Sequence, residues 1–438
     1  MPRGVPSGRT GGFFVCVGRA GETMNGMTET ATVRMTKRID GGICAPMGFA
    51  AAGVRCGIKR KRRDIALIAC ASPVAAAGVF TTNVVRAPCV DRDERILAER
   101  PYVRGIVVNA GNANAGNGEN GEQDNERMAV LAAHALGCAP EQILTASTGV
   151  IGSPMPMEIV ASGIADAGHD LASSAQAAAN AAEAILTTDT FDKQFAVEFD
   201  LGGHTARIGG IAKGSGMIAP NMATMLAFLT TDIAISPALL DGALRQAVHV
   251  SFNCLTVDGD TSTNDSCVIL ASGAVGNAEL APTDAAYLAF VAALTEVCVH
   301  LAREVARDGE GATKLVTIVC LGAETEADAR RVAKTIAESP LVKTALFGND
   351  PNWGRILMAA GRAGVRFDPK RATAFLAGTK IYAEGTPTVF DAAALSKAMA
   401  AKEVEIVIDL GSNGSHAATV FTCDFSYDYI RINAEYHT

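Results

Sequence analysis

Metal-ligand and disulfide patterns are missing from this sequence, although it contains 11 cysteines. The cysteines are scattered, with no CxxC pair and no Cys/His cluster at the spacing of zinc ligands. This distribution argues against a structural zinc site and against a disulfide framework. It predicts reduced core cysteines in an intracellular, cytoplasmic protein that binds no metal.

The sequence also lacks the charge and the apolar segments that nucleic-acid and membrane partners require. Its formal net charge is −8, whereas duplex binding needs a basic surface. The longest apolar stretch, Ile65 to Phe80, is interrupted by Ser72 and Pro73 and is too short to span a bilayer. We therefore expect neither partner. The one basic run, Lys59 to Arg63, is interpreted as a solvated turn, with an electrostatic role towards an anionic ligand as the alternative.

Several familiar site motifs are absent as well. The central Gly-rich segment contains neither GxxxxGK[ST] nor GxSxG. The acidic run that starts at Asp258 resembles a calcium loop, but Thr263 stands where such a loop needs glycine and Ile269 where it needs a carboxylate. We interpret this run as a structural turn near the active site.

Short β-type runs alternate with segments of helical apolar spacing after residue 35, which predicts a mixed α/β or α+β protein without internal repeats. The predicted strands are 65–70, 105–109, 194–199, 268–271, 315–320, 404–410 and 417–423. The predicted helices are 125–136, 175–186, 237–250, 285–307, 326–338 and 391–400. Residues 1–35 are Arg-rich and acid-poor before Glu22. They are expected to be a disordered extension or the result of an early start, and an organellar transit peptide is the alternative.

The most informative motif is KGSGMIAPNMATML at Lys213–Leu226, a Gly-rich turn that leads into an apolar run. Together with other motifs in order, it resembles the ornithine acetyltransferase family, also called bifunctional glutamate N-acetyltransferase. The resemblance extends from about Ile39 to Thr438. The other matching runs are AAGVFTTN ending at residue 83, VNAGNANAG at 108–116, TASTGVIG at 145–152, LTTDT at 186–190, TVDGDTSTND at 256–265, DGEGATK at 308–314, NDPNWGRI at 349–356 and INAEYHT at the end.

The resemblance implies that the chain cuts itself between Ala223 and Thr224. The products would be residues 36–223, with any part of 1–35 that is retained, and residues 224–438. Thr224 would then be an N-terminal nucleophile whose own α-amine is the base. An unperturbed α-amine titrates at about pH 7.7–8.0, so much of it is neutral at working pH. The family's oxyanion hole corresponds here to Thr148 and Gly149.

The resemblance also implies a site for N2-acetyl-L-ornithine and L-glutamate, between which the acetyl group moves by a ping-pong mechanism. Thr224 would contact these substrates, and the other matched binding residues are Thr187, Lys213, Glu310, Asn433 and Thr438. A cation, an acid and neutral polar groups suit substrates that share an α-carboxylate and differ in side-chain charge. Lys213 would also lower the pKa of the Thr224 amine by like-charge repulsion. No bound cofactor is expected, and acetyl-CoA is an open second donor.

The implied fold is an αββα sandwich of the ornithine acetyltransferase and aminopeptidase type, and the cleaved pairs would assemble as α2β2. Two alternatives remain at this point. One is an N-terminal-nucleophile hydrolase or aminopeptidase that passes the acyl group to water. The other is an uncleaved scaffold protein, which would run as a single band near 45.2 kDa.

Overall fold

The computed structural model describes residues 36–219 and 225–435. The described strands are β1(Thr36–Ile39), β2(Phe49–Val54), β3(Ile65–Phe80), β4(Tyr102–Asn112), β5(Ile143–Val150), β6(Lys193–Asp200), β7(Thr205–Lys213), β8(Leu226–Thr231), β9(Ser266–Ala271), β10(Leu315–Ala323), β11(Thr373–Leu376), β12(Thr379–Ala383), β13(Thr386–Pro387), β14(Glu403–Asp409) and β15(His416–Cys423).

The described α-helices are α1(Pro88–Glu99), α2(Gly118–Leu136), α3(Met157–His169), α4(Ala175–Ala184), α5(Pro237–His249), α6(Ala285–Arg307), α7(Glu326–Ala337), α8(Pro340–Phe347), α9(Trp353–Gly361), α10(Ala392–Met399) and α11(Tyr427–Glu435). Side chains of Ser174, Ser236, Thr325, Ser339, Asn352 and Asp391 cap the N-termini of six of these helices.

The long strand β3 connects the two halves of a nine-stranded sheet with the order β1-β6-β7-β8-β9-β3-β4-β5 and β2 paired to β3. Its first half pairs with β2 and β4, and its second half pairs with β9. The register with β4 shifts between Ala69 and Val74, on either side of Pro73. Proline is tolerated in a strand at such an irregularity because it has no N–H to donate.

The two halves of this sheet face each other across a shared apolar core. Ile68 of β3, Ile106 of β4, Phe228 of β8 and Val268 of β9 lie together in that core. Their chain neighbours point the opposite way, as the period of two in a strand requires. On the outer face of β6–β9, α5 and α6 cover the sheet, and on the outer face of β2–β5, α2 and α3 cover it. The order of layers is therefore αββα, which confirms the predicted fold class.

A second sheet has the order β13-β12-β11-β14-β10-β15 and its own core with α7 to α10. Leu315, Phe421 and Cys423 from its strands pack in the core that contains α5 and α6. β10 and β15 are therefore anchored against the outer helices of the first sheet.

α6 is the one helix in the described ranges that is long and apolar enough to cross a membrane by length and composition alone. Ten of its residues are buried, and they pack in the core with α5 and β6–β9. A single helix of this kind is weak evidence for a membrane span.

Each predicted strand and helix overlaps an observed element, and the helix at 285–307 has the predicted bounds. The strand predicted to end at Cys70 continues to Phe80, because Ser72 and Pro73 fall at the register shift and do not end the strand. The elements without a prediction include short ones such as β11 to β13 and the Ala-rich β2. Residues 1–35, with their predicted extension, and the predicted cut at 223/224 lie outside the described residues.

Candidate active site

Lys213 and Thr148 meet where the two halves of the nine-stranded sheet end. Lys213 is the last residue of β7, and its Nζ lies 3.3 Å from Oγ1 of Thr148 near the end of β5. Both side chains are buried. Lys213, the cation predicted to bind substrate, therefore contacts Thr148 of the predicted oxyanion pair, although 65 residues separate the two in the chain.

Gly149 fills a position that no other residue could take without rearrangement. Its φ is +135°, and a Cβ atom there would lie 2.3 Å from the carbonyl carbon of Gly111. Next to it, Ser147 Oγ donates to Asn109 Oδ1 at 2.6 Å. Asn264 Nδ2 donates to the carbonyl of Ser147 at 2.9 Å. These contacts fix the backbone around Thr148 and Gly149 and join three of the sequence motifs.

The carboxylate of Asp189 connects Thr187 to the end of β7. It accepts hydrogen bonds from Thr187 N at 2.9 Å, Gly214 N at 2.7 Å and Lys193 Nζ at 2.7 Å. Burial opposes ionisation of Asp189, but the charges of Lys193 and Lys213 hold its pKa below the ordinary value. An ionised Asp189 thus fixes the loop that contains Thr187 beside Lys213.

Glu310 and Asn433 lie on the other side of the turn that follows β7. Asn433 Nδ2 donates to Glu310 Oε2 at 2.8 Å, and Glu310 N donates to Ser215 O at 2.8 Å. A Cβ on Gly216 would come within 2.4 Å of the Glu310 carboxyl group. Gly216, the second glycine of the KGSG turn, therefore leaves room for Glu310, the acid predicted to bind substrate.

The half-buried Asp258 and the buried Asp265 bind the chain on either side of residues 220–224. Asp258 accepts from Met217 N at 2.6 Å and from Ile218 N at 2.8 Å, whereas Asp265 Oδ1 accepts from Met225 N at 2.9 Å. Burial raises the pKa of Asp258 to about 6 and raises the pKa of Asp265 well above its ordinary value. In both cases backbone N–H donors partly offset the effect of burial.

The ammonium group of Lys213 is the charge at the centre of this cluster. Burial lowers its pKa, and the carboxylates of Asp189, Asp265 and Glu310 oppose that shift. A buried cation within reach of several acids can hold a substrate carboxylate and can also influence the protonation of a neighbouring amine.

The structure brings together five of the predicted site residues on or beside one turn, namely Thr148, Gly149, Lys213, Glu310 and Asn433, and Asp189 joins Thr187 to them. Ala223, Thr224 and Thr438 lie outside the described residues. Within the described ranges no group of three His, Cys, Asp or Glu side chains is arranged to hold a metal ion. The ten described cysteines are free.

The sequence prediction did not assign individual roles to Asp189, Asp265 and Asp308, and it placed Asp258 only in a structural turn near the active site. Asp258 does hold a turn there, through Met217 N and Ile218 N. All four lie inside the quoted motifs, and that is the signal that could have found them. Asp308 binds Lys193 Nζ at 2.6 Å from 115 residues away. Spacing along the chain cannot identify such a partner, because the order of strands in the sheet determines which distant residues meet.

The αββα layers and the cluster of polar groups at the strand ends define an enzyme with the ornithine acetyltransferase fold. The family model of the ArgJ family matches residues 50–438. The arginine biosynthesis bifunctional protein ArgJ of Symbiobacterium thermophilum is 50% identical over 401 residues, which cover 91% of this chain and 99% of that protein. The ArgJ protein of Thermus thermophilus is 49% identical over 394 residues, with 90% and 99% covered.

Two solved structures were also found to be similar. The ornithine acetyltransferase of Mycobacterium tuberculosis, complexed with ornithine, is 37% identical, with a TM-score of 0.40, and covers 42% of this chain and 98% of that chain. A β-aminopeptidase from Burkholderia sp. is 12% identical, with a TM-score of 0.39, and covers 62% and 87%.

The chain belongs to the ArgJ family. It is an acetyltransferase enzyme of arginine biosynthesis, and the predicted family and enzyme class are confirmed.

Proposed function

We propose that this enzyme moves the acetyl group of N2-acetyl-L-ornithine to L-glutamate through an acyl-enzyme on Thr224. The observation that carries the proposal is the contact between Lys213 Nζ and Thr148 Oγ1 at 3.3 Å. It joins the turn that precedes Thr224 to the proposed oxyanion pair, Thr148 and Gly149. A site in which a cation, oxyanion donors and an acid converge on the start of one strand suits acyl transfer.

Self-cleavage comes first in this proposal. The Thr224 hydroxyl attacks the carbonyl carbon of Ala223, the C–N bond to Thr224 breaks, and the hydroxyl proton passes to the departing nitrogen. Water then hydrolyses the ester, which leaves a carboxylate on Ala223 and a free α-amine on Thr224. Before the cut that nitrogen is an amide and cannot be a base, so the precursor is inactive.

In each catalytic half-reaction the α-amine of Thr224 takes the hydroxyl proton while the oxygen attacks the acetyl carbonyl. Thr148 and Gly149 donate to the oxyanion, and ornithine leaves with its amine restored. Glutamate attacks the acetyl ester in the second half-reaction. Lys213, Thr187, Glu310, Asn433 and Thr438 hold the substrates, and acetyl-CoA is proposed as a second acetyl donor. We further propose a cytoplasmic α2β2 assembly of the cleaved chains, without a resident cofactor.

Intact-mass spectrometry and a transfer assay test this function directly. Wild-type protein should give two chains, the second beginning at Thr224, and should form acetylglutamate from acetylornithine and glutamate. Thr224→Ala should remain one chain and be inactive. A single wild-type chain would favour a scaffold, and acetate release without acetylglutamate would favour a hydrolase. Supplying acetyl-CoA in place of acetylornithine tests the second donor.

A further inference from the structure

The basic run at 59–63 contacts the loop that contains Thr187 and is not a simple solvated turn. Lys59 Nζ donates to the carbonyl oxygens of Leu186 at 2.7 Å and Ala184 at 3.4 Å. Arg62 Nη1 donates to the carbonyl oxygen of Asp189 at 2.6 Å. Two cations thus bind main-chain oxygens on both sides of Thr187.

The backbone of the run is itself fixed. The buried carboxyl group of Asp64 accepts from the backbone N–H groups of Cys56 at 2.7 Å, Gly57 at 3.0 Å and Lys59 at 2.9 Å. A side chain on Gly111, which packs against Gly149, would lie 3.1 Å from Lys59 Cγ. Lys59 therefore lies between the Thr187 loop and the backbone beside the proposed oxyanion hole.

We propose that Lys59 and Arg62 form a clamp that positions Thr187 for the carboxylate of the amino-acid substrate, which makes Lys59 a positioning residue for binding. The inference rests on the proposed function. Asp189 takes part from within the loop, since its side chain accepts from Thr187 N while its carbonyl accepts from Arg62. Hydrogen bonds to a charged donor are among the stronger ones in proteins. Loss of the Lys59 bonds should therefore free the loop without disturbing the nucleophile.

The charge of Lys59 depends on pH in the range of an enzyme assay. Burial lowers the pKa of Lys59 to about 8. The charged groups around it are Asp64 and Asp189, which raise the pKa, and Arg62 and Lys213, which lower it. Above that pH the ammonium loses its proton and binds the two carbonyl oxygens more weakly.

Steady-state kinetics of Lys59→Met test the clamp, with Lys61→Met as the matched control because Lys61 is exposed in the same run. Lys59→Met should cut itself as the wild type does, keep kcat within about twofold and raise KM for acetylornithine about tenfold, since a charged hydrogen bond is lost. Lys61→Met should have the wild-type KM. An unchanged KM in Lys59→Met, or an equal rise in Lys61→Met, would contradict the clamp.

The pH dependence of KM provides a second test that does not require Lys59→Met to fold. Acetylornithine has no group that titrates between about pH 7 and 9, because its α-amine is acylated and its side-chain amine resembles that of lysine. The Lys59→Arg variant keeps a positive charge at this position when the pH rises. Above about pH 8 its KM for acetylornithine should therefore be lower than that of the wild type. If KM for acetylornithine changes with pH in the same way in the wild type and in Lys59→Arg, the proposal is wrong. A wild type without transfer activity would instead contradict the proposed function.

Discussion

The carboxyl group of Asp265 binds the backbone of Met225, the residue that follows the proposed nucleophile. Its Oδ1 accepts from Met225 N, and its Oδ2 is buried without a hydrogen-bond partner among the described residues. A peptide bond joins Met225 N to Thr224, so an amine freed at Thr224 would be created within a few ångströms of this carboxyl group.

Asp265→Asn should move the acid limb of the kcat/KM profile to lower pH, by up to about one unit. A protonated amine at Thr224 would favour the ionised form of Asp265 in spite of its burial. Asparagine cannot ionise, so it removes this stabilisation of the protonated amine while it still accepts from Met225 N. The amine then remains a neutral base at lower pH. Lys213→Gln should shift the same limb in the opposite direction. Profiles that coincide with the wild type would show that neither group affects the amine.

The candidate residues Thr148, Gly149, Lys213 and Glu310 could be predicted from the sequence only because each lies in a motif that resembles the family. The structure adds a reason for the glycines. Gly149 is required by its positive φ, and Gly216 by the space that Glu310 occupies. The partners of Asp189 and Lys59 could not be predicted in this way. Lys59 binds Leu186 from 127 residues away, and a run of five basic residues resembles a solvated turn in the sequence alone.

At the scale of elements, the turn between β7 and β8 is held by Asp258. Its two oxygens bind Met217 N and Ile218 N, and Met217 has a φ of +57°. A non-glycine residue in this region carries a conformational cost, which the two hydrogen bonds offset. A side chain from the second half of the protein therefore holds Met217 and Ile218, which precede the proposed cut.

The stability of the wild type should rise relative to Asp258→Asn as the pH falls from about 7 to 5. The folded-state pKa of Asp258 is about 6, above its ordinary value of 3.8. Its contribution to the free energy of unfolding is therefore complete below the lower value and is lost as the pH rises through the higher one. The gain should be about 1–2 kcal/mol at pH 5. Thermal unfolding at several pH values measures it, and a constant difference between the two proteins would contradict it.

The ends of the elements were harder to predict than their existence, and β3 shows the reason. Its sequence includes Ser72 and Pro73, which normally interrupt a strand, yet the strand continues because its pairing partners change at that point. The second half of β3 is stabilised by β9, which begins nearly 200 residues later. The local sequence of β3 does not predict that it will pair with such a distant strand.

In the whole molecule, the proposed cut falls between two neighbouring strands of one sheet. β8 pairs with β7 on one side and β9 on the other, and β9 pairs with β3. Two strands from after residue 224, β8 and β9, therefore lie between β7 and β3, which come from before it. The segments before and after residue 224 share a core as well as hydrogen bonds.

The cleaved chains should elute together from a size-exclusion column and should separate only in denaturant. Neither chain should fold when expressed alone, because β8 and β9 without β3 and β7 would expose unpaired edges. Light scattering should give a mass about twice 45.2 kDa if two cleaved pairs assemble as proposed. Separation of the chains without denaturant would contradict the shared sheet.

Because β8 lies between β7 and β9, the proposed cut would take place only in a correctly folded chain. The residues that would promote it come from β5, β7 and the segment before β9, and they meet only after the sheet has closed. A misfolded chain would lack that arrangement and would stay intact and inactive. In a cell extract, the ratio of cut to uncut chain would therefore report the fraction of molecules that had completed folding.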